Sequence, residues 1–223
     1  MADHPVQNWV RVNVLHPLFF DMCEEAYSRF LTISEKYTRT LKEEDIAEGR
    51  ELEHAVVIAG IQAIVFAGMC VESAIYDYAA GQLGDSYVQD HLEKMDLLSK
   101  WIVIPQLVCG RKISKDTVAY ASLKKLIQAR NSLVHHKSSR FAGYDEKQLA
   151  KLKDDEKKFE EYVHNAYRAL VLLSLELDHL IGVQFNPLRT FDENAYSSHE
   201  IPKNLEKVID DCKRVFNRTA RAH

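Results

Sequence analysis

Glycine and proline are scarce, eight and five in 223 residues. A β-sandwich or barrel needs more turn punctuation than that, and a βα alternation needs repeated β-branched runs, which are also missing. The four cysteines, Cys23, Cys70, Cys109 and Cys212, are widely spaced and form no Cys-x-x-Cys pair. That argues against a disulfide framework or a zinc knuckle and makes a reducing cytoplasm the expected location. The first ten residues, MADHPVQNWV, have no basic n-region and no apolar h-region, so no signal peptide is expected. Asn217-Arg-Thr219 then carries no glycosylation meaning. There is no P-loop, GxGxxG, HExxH or EF-hand loop. The adjacent His135 and His136 cannot both face one metal from a regular helix. Neither a metal nor an organic cofactor is expected. Charge of one sign is lacking as well: the formal net charge of -4 speaks against a general nucleic-acid coat.

What is present is helical periodicity. With 46% hydrophobic and 28% charged residues, the chain has enough of both for an ordinary soluble core, and the fold class expected is all-α, an up-and-down bundle. Pro17 suits a first turn, and Phe19, Met22, Ala26, Phe30, Ile33 and Tyr37 then recur at three- and four-residue steps. Glu43-Glu44-Asp45 through Gly49 reads as a loop. A second helix is expected from about Glu51 to Ala80, stopping at Gly81. Ser86 to Val108 reads as one or two shorter helices, with a kink or break at Pro105 and an end at Gly110. Ser114 is the expected N-cap of a fourth helix reaching about His135, with Val118, Leu123, Leu126, Ile127 and Val134 as its stripe. After a polar loop (Lys137 to Tyr144) comes a long fifth helix, Asp145 to Ile181, ended by Gly182. Its first third is almost all charge with Leu149 and Leu152 as anchors, so it should be solvated or project as an arm. Residues 1–182 are thus read as the bundle, and 183–223 as an irregular segment with a short basic helix.

Ala55 to Val71 (AVVIAGIQAIVFAGMCV) has only Gln62 polar and sits at the lower edge of membrane-spanning length. Glu72 and Asp77 follow at once, Glu51, Glu53 and His54 precede it, and neither flank has a Lys/Arg cluster. A central helix buried by a bundle, with no membrane partner, is the reading preferred.

The charge is unevenly spread. Between residues 111 and 140, eight Lys or Arg face one acid, Asp116, so this stretch carries +7 and the rest of the chain -11. A phosphate-bearing ligand would select such a stretch electrostatically; the plainer reading is a solvated outer face. Within it lies Arg130-Asn131-Ser132-Leu133-Val134-His135-His136. Ile127, Asn131 and His135 share a helix face. Arg130 falls inside the apolar stripe, where an unpaired guanidinium is costly, so it needs an anion partner, a carboxylate or a phosphate. Arg130 and His135 are five residues apart, roughly 140° around a straight helix. A bent helix end, or two copies pooling their groups across a two-fold axis, would bring them together.

Arg-Asn-x-x-x-His is an Arg-x4-His motif, and the chain resembles the HEPN domain superfamily (higher eukaryotes and prokaryotes nucleotide-binding). The resemblance covers roughly residues 50–182, from the apolar helix carrying Glu72 (FAGMCVESAIYDY) through LKKLIQARNSLVHHK to the long helix after it. It implies a helical bundle that dimerises and, as in many members, a metal-independent endoribonuclease. By that likeness His135 would activate the ribose 2′-OH or protonate the leaving oxygen. Arg130 would hold the scissile phosphate, and Asn131 would orient the pair. Glu72 is the candidate partner for Arg130 or His135. Lys124, Lys125, Lys137 and Arg140 are the candidate RNA-binding residues. RNA, a second copy of the chain and a regulatory protein or antitoxin are the partners implied, in a setting such as a toxin or phage defence. One HEPN subgroup has an adenylylated tyrosine two residues after the histidine; here that position is Lys137, which sets this chain apart from such regulation. Plainer readings stand beside these. His135 is also what a helix C-terminus favours through its dipole, Glu72 also fits a structural acid, and His136 also fits a solvent-facing residue or a stand-in for His135. A HEPN-like domain binding RNA, a nucleotide or a protein without cutting, and a helical adaptor using the charged arm, remain as alternatives.

Overall fold

The structure, a computed structural model, describes residues 11–42, 46–135, 145–191 and 199–220. Among these the chain is all helical: α1 (His16–Lys42), α2 (Ile46–Leu83), the single turn α3 (Asp85–Tyr87) continuing as a π-turn (Val88–Leu92), α4 (Leu97–Cys109), α5 (Val118–Val134), α6 (Glu146–Ile181), a 3-10 turn (Val183–Phe185) and α7 (Lys203–Ala220). The all-α class expected from periodicity is what is found. The long penultimate helix is the sixth rather than the fifth, because the 85–109 stretch divides in two, and the longest helix is α2 at 38 residues against 36 for α6.

α2 is the axis on which α1, α4, α5 and α6 pack. It is long and apolar enough to cross a membrane by length and composition, the one such helix among the described residues, and 44% of its most apolar window is buried in the fold. Many of its inward positions are small: Ala59, Gly60, Ala63, Ala67, Gly68, Ala74, Ala79 and Ala80 are all buried, beside Ile64, Val71, Ile75 and Tyr78. Small side chains let neighbouring helices approach closely enough for large ones to fill the remaining space. α1 supplies Phe20, Cys23, Ala26, Tyr27 and Phe30, and its rings meet Tyr167 of α6, with Phe20 edge-on at 6.2 Å and Tyr27 stacked at 5.4 Å. Leu188, Phe191, Leu205, Ile209 and Cys212 join the same core.

Several local expectations are corrected. Residues 46–49 are helical, and Gly49 is buried beside Leu41 rather than opening a loop. α2 runs through Gly81 and stops before Gly84, three residues on, which takes the left-handed φ of +91°. α4 continues through Pro105, and the break falls earlier, where the Asp96 carboxylate caps the helix by accepting from Ser99 N at 3.0 Å. Thr117, not Ser114, caps α5, accepting from Tyr120 N at 3.2 Å, while the Ser114 carbonyl closes a turn onto Thr117. Leu149 and Leu152 anchor nothing: both are exposed, and residues 149–158 of α6 lie open to solvent. Gly110 and Gly182 end α4 and α6 as expected, with positive φ.

The C-terminal part is tied down by a polar cluster that the sequence did not advertise. Glu24, on the inner stripe of α1 and 2% exposed, accepts from Tyr167 Oη at 2.7 Å and from Arg189 Nη1 at 3.3 Å, and pairs with His199. Arg189 also reaches Asp21 and lies over the Phe20 ring at 4.6 Å.

Two pairs of outcomes check this packing. A Cβ at Gly60 would sit 2.7 Å from Val163 Cγ2 and 2.8 Å from Phe159 Cζ, whereas at Gly81 the nearest atom is 3.9 Å away. In urea unfolding, Gly60→Ala should destabilise by about 1–3 kcal/mol, and Gly81→Ala should stabilise by about 0.5–1 kcal/mol as a helical glycine replaced. Glu24→Ala leaves Arg189 half-buried with Asp21 alone and should cost about 3 kcal/mol; a change below 1 kcal/mol would refute the clamp.

Candidate functional site

The α5 stripe (Ala119, Leu123, Leu126, Ala129) faces the core, and this sets Arg130 on the flank of the helix against α2. There the guanidinium meets Glu72: Nη2 donates to Oε2 at 3.1 Å, and Nη1 donates to Asn131 Oδ1 at 3.3 Å. The anion partner that an arginine in an apolar stripe requires is thus a carboxylate of the neighbouring helix. Gly68 makes the approach feasible. A Cβ there would lie 2.8 Å from Arg130 Cγ and 3.2 Å from Arg130 Cβ, so the arginine stem crosses α2 where there is no side chain. Glu72 lies four residues, roughly one turn, further along the same helix.

The pair is partly open, with 31% of the Arg130 side chain and 53% of the Glu72 side chain exposed. It adds little to stability by itself. Its effect is positional. The stem is pinned over Gly68 and the fork is oriented by one carboxylate and one amide. A guanidinium carries five N–H donors, and these two bonds use two of them.

His135 stands apart from this group. It is the C-cap of α5, with φ -104° and ψ 21°, and its backbone N–H bonds Asn131 O at 3.0 Å. The side chain is exposed and makes no hydrogen bond or ion pair among the described residues. One chain therefore assembles Arg130, Asn131 and Glu72, and leaves His135 at the helix end for whatever lies beyond. His136, Lys137 and Arg140 fall outside the described residues. Lys124 is exposed and unpaired among them. Lys125 is committed internally, donating to Glu161 Oε2 at 3.1 Å with its ammonium 5.8 Å from the Tyr162 ring. No group of three His, Cys, Asp or Glu side chains suited to a metal occurs among the described residues.

On α2, Ile58, Ile61, Val65 and Glu72 follow each other at steps of three, four and seven residues and so share a face. Ile58 and Ile61 are about two-fifths exposed, as is neighbouring Val57. On α5, Val134 is 56% exposed beside His135. Toward the start of α2 and at the end of α5, these apolar side chains are left exposed by the described residues.

Comparison with models of protein families, with curated proteins and with solved structures returned no match.

Gly68 is the contributor that sequence reasoning passed over. Its signal was present, since it lies four residues before Glu72, but a glycine in an apolar helix reads as core filler until the helix opposite is known. Gly68→Ala should push the Arg130 stem off α2 and lower stability by about 1–3 kcal/mol. Glu72→Gln, on the exposed side of the same pair, should change it by less than about 1 kcal/mol. Thermal melts of the two variants check the contrast.

Proposed function

We propose that the chain is a metal-independent endoribonuclease of HEPN type, acting as a homodimer with a composite site. The observation that carries this is the preset guanidinium: Arg130, pinned over Gly68 and oriented by Glu72 and Asn131, five residues before His135, which has no side-chain partner among the described residues. Within the Arg-x4-His resemblance, Arg130 takes the phosphate charge and Asn131 holds the fork in place. His135 moves the proton, either from the ribose 2′-OH or to the leaving oxygen. The 2′ oxygen bonds to phosphorus as the P–O5′ bond breaks, which leaves a 2′,3′-cyclic phosphate and a 5′-hydroxyl and restricts the substrate to RNA.

Because one chain does not bring His135 to Arg130, the reading requires a second copy. The exposed apolar residues Val57, Ile58 and Ile61 of α2 and Val134 of α5 support that self-association. Lys124 remains as a phosphate contact, a cytoplasmic location belongs to the same reading, and a protein partner would act by covering this face.

A second reading is favoured by one fact: Arg130 and Lys125 already have carboxylate partners within the chain. A HEPN-like module that binds RNA or a protein without cutting would carry the same residues as structure.

The deciding experiment incubates the purified full chain with end-labelled RNA in EDTA. Cleavage to cyclic-phosphate ends is expected, falling by about a hundredfold or more in Arg130→Ala and in His135→Ala, with both variants melting near the parent and light scattering reporting a dimer. Cleavage unchanged in both variants would place the activity elsewhere, and salt-sensitive binding with no product would favour the second reading.

A further inference from the structure

A concavity lies at the C-terminal end of α2, and none of the Arg130 group lines it. The end of α2 (Tyr78, Gln82), the end of α4 (Val108), Arg111 just beyond it, and the end of α6 with the following turn (His179, Phe185) enclose about 610 Å³. That volume is in the range that holds a small organic molecule, and the wall mixes apolar side chains with Gln82, Arg111, Asp178 and His179.

The polar groups decide the ligand class. Arg111 donates Nη1 to Leu180 O at 3.1 Å, which fixes the guanidinium across the last turn of α6. It has no carboxylate partner among the described residues. The acid of the same wall, Asp178, is already engaged by neutral donors, Asn186 Nδ2 at 2.8 Å and Thr190 Oγ1 at 2.7 Å. Asp178 keeps its charge but is taken up by these donors, and Arg111 is a fixed cation with no direct ion pair among the described residues at the rim of the hollow. The C-terminal ends of α2, α4 and α6 contribute partial negative charge here, and Arg111 covers a carbonyl of α6. Phe185, on the 3-10 turn and 55% exposed, lines the same hollow and offers ring surface to a bound apolar group.

We propose that this cleft binds a small amphipathic anion, its carboxylate, sulfonate or phosphate on Arg111 and its apolar body between Tyr78, Val108 and Phe185. The guanidinium supplies a forked, charge-assisted pair of donors to the acid. The apolar walls supply the burial that a surface arginine alone lacks. Nothing in this depends on the Arg130 site, so the two assignments stand or fall separately.

The probe is anilinonaphthalene sulfonate, an aromatic anion, titrated by fluorescence against the full chain. Octanoate should displace it, while octylamine and octanol at the same concentration should not. Arg111→Gln and Phe185→Ala should each weaken probe binding by about tenfold, the loss of one charged hydrogen bond or one apolar wall. Lys112→Gln, on the adjacent exposed cation, should stay within about twofold. Arg111→Lys keeps the charge and should retain the preference for the acid. If Arg111→Gln loses its melting transition along with the Leu180 contact, the exposed Phe185→Ala and Arg111→Lys variants decide instead. Octylamine competing as well as octanoate, or a folded Arg111→Gln binding the probe like the parent, overturns the assignment.

Discussion

How near other helices come to α2 governs everything placed around it. At Gly60 the side chains of Phe159 and Val163 occupy the space a Cβ would fill, and at Gly68 the stem of Arg130 does the same. The first contact sets the approach of α6 and the second that of α5. They face different directions, two turns apart along one helix. An alanine in either place would move a whole partner helix, because interiors at this density have no slack to absorb a methyl group locally. The arrangement of the Arg130 group is thus a by-product of helix spacing.

Much of the fold was legible in the order of residues. The apolar steps of α1, α5 and the later part of α6 marked core faces, and the caps at Gly110, Asp145 and Gly182 marked ends. What misled were local signals outweighed by packing. Gly49 and Gly81 look like breaks, yet a glycine costs a helix only about 1 kcal/mol, less than the burial gained by carrying α2 onward. Ser114 and Thr117 are both good caps, and only the contacts of Ile113 and Ala119, both buried, settle which residue starts the helix. Pro105 seemed to demand a break, but the chain had already turned at Asp96.

The site was legible in a narrower sense. That Arg130 needed an anion follows from its place in an apolar stripe, and Glu72 was within the set of acids able to meet it. The separation of His135 from Arg130 also follows from helical geometry. The Glu24 cluster was not legible. A glutamate between Cys23 and Glu25 looks like ordinary surface charge, and its partners Tyr167, Arg189 and His199 come from more than a hundred residues away. Long-range polar closure of this kind leaves no periodic trace, whereas apolar faces do.

The uncovered start of α6 has its own consequence. From Glu146 to Lys158 the helix extends about 20 Å with its side chains in water and its cap at Asp145 holding one end. Helices of that length are marginal alone, so this stretch owes its order to propagation backwards from Phe159, where the core begins. Backbone amides along α6 would then exchange with solvent in a gradient, fast near Gln148 and slow past Val163, the same rod frayed at one end and locked at the other.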